Sequence, residues 1–488
     1  MSRPVVLLVL SAWLALLLVT HRGKMSPYSY VSQAPAGVAV TRPAASDALN
    51  MVPVTRFFYD GTTPDFDRAH NLRLPFHSFA TSIVASFVRR YDVANELTNL
   101  LFLVLLAAAA LRLADRHGLA RRAQLLGLAT IFALPPVVGY IGQPMQYIVG
   151  PVVNALVILV ALAAGEERLR NPWFSGALTA ILCVNYDWYV FAAALAVYVL
   201  AVVRFPNART AGIYAIVAAL PGVLWQRFLE FISDDGLSKA IRNGFIGAVI
   251  EGWLEFFSAP GARPLLPVAA TQLGFHVAVH EIIALIHWPL IVCCAAALWH
   301  YRDTRQPWQA RWLLILLVAM FLVEQLTTAA FDWENNPRRA LPVVVAFACA
   351  YCWSIDVTRG DRRWRIAFVA LFLFAAGIAF TDVLLGNAGA SVLYMGETIR
   401  GPAKIALPWQ EGAIIIAPTL QAGYEIFSAT FPRAALGSVG GAWIVANLFV
   451  AGALVVLFTL LARVDLLPRR APYVCAAIML ASAIRFLL

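Results

Sequence analysis

Ala442-Trp-Ile-Val-Ala-Asn-Leu-Phe-Val-Ala-Gly-Ala-Leu-Val-Val-Leu-Phe-Thr-Leu-Leu461 carries no ionisable side chain, and Arg463, Arg469 and Arg470 follow it. At about 1.5 Å of rise per residue such a run matches the roughly 30 Å hydrocarbon core of a bilayer. A helix satisfies its own backbone polar groups, so lipid tolerates it where water would not. Working outward, comparable apolar runs recur along most of the chain. They read as Val5–Thr20, Thr98–Leu111, Ala123–Ile141, Tyr147–Ala164, Ala177–Val184, Tyr189–Val203, Gly212–Trp225 and Val279–Trp299. Trp312–Ala329, Leu341–Ile355, Ile366–Leu385 and Tyr473–Leu488 complete the set.

Composition agrees with this reading. Of the 488 residues, 61% are hydrophobic and only 13% charged, against about 25% charged in an average soluble chain. The mean hydropathy is +0.74. The expected fold class is all-α: a single polytopic membrane domain over residues 1–488 with about thirteen spans. The formal charge of +10 comes with no Lys/Arg-rich tail, which removes the usual nucleic-acid reading. Its six cysteines (Cys183, Cys293, Cys294, Cys349, Cys352 and Cys475) all fall inside apolar runs. Cys349-Ala-Tyr-Cys352 has redox-motif spacing, yet inside a span it reads as packing. Val5–Thr20 reads as an uncleaved span, because no small-residue cleavage site closely follows it.

The arginines set the topology. They occupy alternate connections: Arg112, Arg116, Arg121 and Arg122; Arg168 and Arg170; Arg204 and Arg209; Arg302, Arg305 and Arg311; Arg359 to Arg365; Arg463 to Arg470. Positive charge in short connections marks the cytoplasmic side. The N-terminus is then cytoplasmic, and the long segments 21–95, 226–276 and 386–441 face outward. The pattern requires a helix break at Asn185-Tyr186-Asp187; one continuous helix there would invert every later connection. Leu74 to Val88 is apolar at helical intervals, too short to span, and reads as an interfacial helix. Residues 228–257 repeat that theme.

The first outer segment holds the densest ionisable cluster. Tyr59-Asp-Gly-Thr-Thr-Pro-Asp-Phe-Asp-Arg-Ala-His-Asn-Leu-Arg-Leu-Pro-Phe76 contains Asp60, Asp65, Asp67, Arg68, His70 and Arg73. Ionisable clusters near a membrane are candidates for function, although solvated loops carry carboxylates freely. Asp65 and Asp67 alternate, a spacing with which two carboxylates share a divalent metal. Asp187 interrupts an apolar run, either as part of a capped turn or as a polar contact in an outward site. Glu324 lies within a span. Asp332, Glu334, Arg338 and Arg339 follow at its outer end, where two adjacent arginines run against the positive-inside trend. They suit an anionic headgroup or pairing with Asp332 and Glu334. His276 and His280 share a helix face without the order of a zinc motif, and no phosphate-cradling nucleotide loop occurs.

The order of these features resembles the C-type (GT-C) membrane glycosyltransferases. Tyr59-Asp60-Gly61 followed by Asn71-Leu-Arg-Leu-Pro75 is similar to the first-loop signature of several bacterial members. Asp332 to Pro342 looks like the loop before a late span in the same group. The resemblance implies an inverting transfer, in the bacterial cytoplasmic membrane, from a polyprenyl-phosphate sugar to a glycan, lipid or protein acceptor of the cell envelope. It makes one first-loop aspartate the base, Asp60 first, with Arg338, Arg339 or Arg73 at the donor phosphate; no soluble cofactor is implied. Two other readings stand beside it. One is a transporter or flippase of a lipid-linked or anionic substrate, which predicts an internal repeat and mid-span charges. The other is an oligosaccharide polymerase or ligase.

Overall fold

The computed structural model describes residues 1–21, 47–62, 75–134, 137–138, 141, 148–185, 189–232, 345, 348–384 and 440–484. Their regular structure is helical. In order these helices are α1 (Arg3–His21), α2 (Asp47–Asp60), α3 (Pro75–Val88), α4 (Tyr91–Arg116), α5 (Arg121–Ala133) and α6 (Val149–Leu169). There follow α7 (Pro172–Val184), α8 (Tyr189–Val197, continuing in wider turns over Tyr198–Val203), α9 (Ala208–Ile232) and α10 (Ala348–Val357). The last are α11 (Arg362–Leu384), α12 (Gly441–Arg463) and α13 (Ala471–Ile484). Among the described residues, five stretches are long and apolar enough to cross a membrane: Arg3–Thr20, Val93–Arg116, Val149–Leu169, Ala208–Leu229 and Gly441–Arg463. The expected spans Val279–Trp299 and Trp312–Ala329 lie outside the described residues.

Local chemistry explains the ends. Leu134 precedes Pro135 and leaves the helical region at φ −65°, ψ 140°, which closes α5, since a residue before proline is pushed out of the α conformation. The Asn171 side chain accepts from the amides of Trp173 (3.0 Å) and Phe174 (3.4 Å) while Pro172 opens α7, a favourable start on both counts. Asn185 ends α7 with φ −91°, ψ 56°, so the break needed by the arginine alternation is present there. Two expectations shift. The helix that carries the run read from Thr98 begins at Tyr91, and segment 21–95 holds α2 in addition to the helix expected from Leu74.

Among the described residues, one end of the bundle gathers the arginine-bearing connections. Arg3 pairs with Asp115 at 3.6 Å, and Arg121 pairs with the same carboxylate. Arg116 donates to the Val464 carbonyl at 2.7 Å, and Arg168 to the Arg463 carbonyl at 2.9 Å. Asp356 accepts from the Ala120 amide at 2.9 Å. The N-terminus therefore sits with the connections after α4, α6, α10 and α12. Outward faces remain apolar: Leu8 and Val19 on α1, Ile216 and Leu220 on α9, Leu373 on α11 and Leu448 on α12 are all exposed. Contiguous apolar surface of this kind suits lipid contact.

Small residues bring the helices close, as they do where lipid supplies no hydrophobic drive between helices. A Cβ at Gly176 of α7 would lie 2.8 Å from two carbons of Val217 on α9, and one at Gly222 of α9 would lie 3.0 Å from Cys183 of α7. Gly176→Ala is expected to cost about 1–3 kcal/mol by overpacking, whereas Gly452→Ala on α12, with nothing within 4 Å, should be neutral or stabilising. Thermal unfolding in mild detergent checks the pair; equal midpoints would mean that α7 and α9 separate freely. Cys349 and Cys352 are buried. Cys352 lies against Gly127 of α5, where an added Cβ would meet its sulfur at 2.7 Å, so these cysteines pack α10, as their position in an apolar run suggests.

Candidate functional site

The opposite end of the bundle carries the polar chemistry. There α2, α3 and the start of α12 converge: Trp443 donates its indole N–H to the Phe58 carbonyl at 2.9 Å, and Phe58 meets Phe79 edge-on at 5.7 Å. Helix α2 forms because Met51, Val54, Phe57 and Phe58 bury an apolar stripe. It ends at Asp60, where Gly61 adopts φ +78°, a left-handed conformation that glycine takes without steric cost.

Asp60 is held tightly. Its Oδ2 accepts from Arg56 Nε (3.2 Å) and Nη2 (2.9 Å), one helical turn back. Its Oδ1 accepts from the Thr62 amide (3.0 Å) and hydroxyl (2.5 Å). Only 7% of the residue is exposed. A carboxylate next to a helix C-terminus meets the negative end of the helix dipole, and the Arg56 guanidinium offsets it. An ionised carboxylate offers about four lone-pair sites, and these four donors fill them. To take a proton from a substrate, Asp60 must release at least one of them.

Beside it, α3 buries a row of polar groups. His77, Ser78 and Thr81 are at most 1% exposed. Both His77 nitrogens and both hydroxyls lack a hydrogen-bond partner among the described residues. Ser82, Ser86, Thr98 and Thr130 instead donate to carbonyls three or four residues back. Burial drives the His77 imidazole towards its neutral form, with its pKa lowered to about 3. Pro75 to Ser82 are buried throughout, so the first two turns of α3 are inserted among other helices instead of lying with one face free.

The first turns of α4 add Asn95, Glu96 and Asn99, all buried; Asn99 donates to the Ile141 carbonyl at 3.1 Å. Asn185 donates to the Gly150 carbonyl (2.8 Å) and to Asn154 Oδ1 (2.9 Å). This joins the end of α7 to the start of α6 and places the helix break at the same end as Asp60.

Of the residues expected from sequence to form a site, Asp60 is among those described. Asp65, Asp67, His70, Arg73, Asp187, Glu324, Asp332, Glu334, Arg338 and Arg339 lie outside them, as do the three-aspartate arrangement and its facing arginines. Among the described residues no group of three His, Cys, Asp or Glu side chains is arranged to hold a metal. The structure adds Arg56, His77 and Glu96. Arg56 and Asp60 are spaced i, i+4, which is the signal that finds Arg56 once its segment is known to be helical.

Fold and site together define, over the described residues, an all-α protein with helices of membrane-crossing length and a buried polar end opposite the arginine-bearing connections. Comparison with protein-family models, curated proteins and solved structures finds no match to this chain.

Proposed function

We propose that the chain is a polytopic membrane glycosyltransferase of the GT-C kind, with about thirteen spans, in the bacterial cytoplasmic membrane. It moves a sugar from a polyprenyl-phosphate donor to a cell-envelope acceptor on the outer face. The observation that carries the reading is the segregation of charge. The described arginine connections and the N-terminus share one end, and under the positive-inside rule that end is cytoplasmic. Asp60 and the acid-rich segment after it then face outward, where nucleotide-activated donors are absent and a lipid-phosphate sugar brings its own leaving group. A carboxylate of Asp60, Asp65 or Asp67 serves as general base on the acceptor hydroxyl. Arg73, Arg338 or Arg339 stabilises the departing phosphate. Metal assistance, if used, falls to Asp65 and Asp67.

The test is transfer from a polyprenyl-phosphate sugar by the purified, reconstituted protein and by Asp60→Asn, Asp65→Asn and Asp67→Asn. One of the three should abolish transfer with folding intact; full activity in all three overturns the reading. A second reading, transport of an anionic or lipid-linked substrate, draws on Glu96, a carboxylate 9% exposed within a helix of crossing length. Such groups mark substrate or proton paths in transporters. Uptake into sealed vesicles that depends on Glu96, without sugar transfer, would favour it.

A further inference from the structure

At the arginine end, Arg170 and Arg204 line an open cleft of 660 Å³ whose remaining wall is the chain from Ala201 to Pro206. The cleft follows from the way α8 ends. Its last turns widen over Tyr198–Val203, and the Arg204 amide reaches back five residues to the Val199 carbonyl at 3.0 Å. The chain then reverses at Arg204 with φ +58°, a left-handed conformation that an arginine enters only under strain. Wide helical turns and strained residues of this sort recur at functional positions.

The side chains match the shape. Arg204 Nε donates to the Ala201 carbonyl at 3.0 Å, which fixes the guanidinium over the cleft's own wall. Its two terminal nitrogens make no hydrogen bond to a described residue. Arg170 is 58% exposed and meets Glu166 only at 3.9 Å, too long for a hydrogen bond. No acid is among the lining residues. Val197 and Leu200, on the turns of α8 that lead into the cleft wall at Ala201, and Trp173, three residues after Arg170, are large, apolar and exposed. The two guanidiniums thus share this end of the bundle with exposed apolar side chains on α8.

We propose that this cleft binds the phosphodiester headgroup of an anionic phospholipid, with Arg170 and Arg204 on the phosphate oxygens and the acyl chains along the outer face of α8. Guanidinium forks fit phosphate oxygens in pairs, and basic clefts between helices on the cytoplasmic side take acidic lipid headgroups. A free phosphate would use the arginines but leave these apolar side chains bare. The inference rests on the membrane reading and is independent of the transferase one.

The test uses the full chain in nonionic detergent, with the thermal unfolding midpoint read against added dioleoyl phosphatidylglycerol, dioleoyl phosphatidylcholine or inorganic phosphate. Phosphatidylglycerol should raise the midpoint in a saturable way, and the other two should not. Arg170→Gln and Arg204→Gln should each raise the half-maximal phosphatidylglycerol concentration tenfold or more. Arg204→Gly is the control for folding: it relieves the backbone, so the lipid-free midpoint should hold or rise while the lipid response weakens as in Arg204→Gln. An equal response in wild type and all three variants overturns the site, and so does no response in the wild type. A full response to inorganic phosphate alone would make it a free-anion site and overturn the lipid assignment.

Discussion

Replacing Arg56 by Met should lower stability by about 1.5–3 kcal/mol, the range for hydrogen bonds to a charged group. Two Arg56 nitrogens hold one oxygen of a carboxylate that is 7% exposed. The methionine keeps the packed stem and removes only the charged head. Arg56 itself keeps 37% of its side chain in solvent, so water screens the pair and the lower half of the range is the better expectation. Asp60→Asn alone loses the charge that Arg56 compensates. The double variant should therefore cost less than the sum of the two single ones, by about a kcal/mol or more. Strict additivity would show that the two side chains do not depend on each other. The same cycle separates structure from chemistry: if Asp60 is the base, Asp60→Asn loses transfer far beyond its loss of stability, while Arg56→Met loses the two in proportion.

The second large effect is on pH. His77 sits on α3, which is shorter than the stretches of membrane-crossing length, and its folded pKa is lowered from the ordinary 6.5 to about 3 by burial. The folded state keeps the ring neutral, whereas the unfolded state takes up a proton below pH 6.5. The contribution to stability is therefore intact above pH 6.5 and is lost as pH falls towards the folded pKa. Each unit of that fall is worth about 1.4 kcal/mol, so roughly 2 kcal/mol should disappear between pH 7.5 and pH 5. His77→Gln, which cannot titrate, should flatten this part of the stability profile in mild detergent. An unchanged slope would assign the acid sensitivity to other groups. A bound substrate that donates to or accepts from the imidazole would shift the wild-type profile and leave that of the variant in place.

The sequence and the structure agree most closely where the physics is local. Ala442–Leu461 reads as a span and is helical over Gly441–Arg463, because an uncharged run of bilayer length has few alternatives. Asn185 reads as a break and ends α7. The reading is weaker where polar residues are buried. Helix α2 carries Asn50 and Pro53 among its apolar positions, and proline argues against a helix interior, so its existence follows from packing against α3. Helix α4 begins seven residues before the apolar run because Tyr91, Asn95 and Asn99 are enclosed by neighbouring helices. Asp60 belongs to the dense first-loop cluster, yet its partner Arg56 stands four residues earlier, outside the cluster.

Hydropathy and the arginine alternation, both readable along a single strand of sequence, determine that this chain is helical, apolar enough for lipid, and charged unequally at its two ends. Bilayer thickness and the cost of moving positive charge act on each segment separately, so local composition suffices. Which groups meet is a different question. The pairing of Arg3 and Arg121 on one carboxylate, the burial of the His77 imidazole and the Ser78 and Thr81 hydroxyls without a partner among the described residues, and the cleft between Arg170 and Arg204 depend on how separate segments pack. Their energies depend on distance and burial, and only the packed structure supplies either.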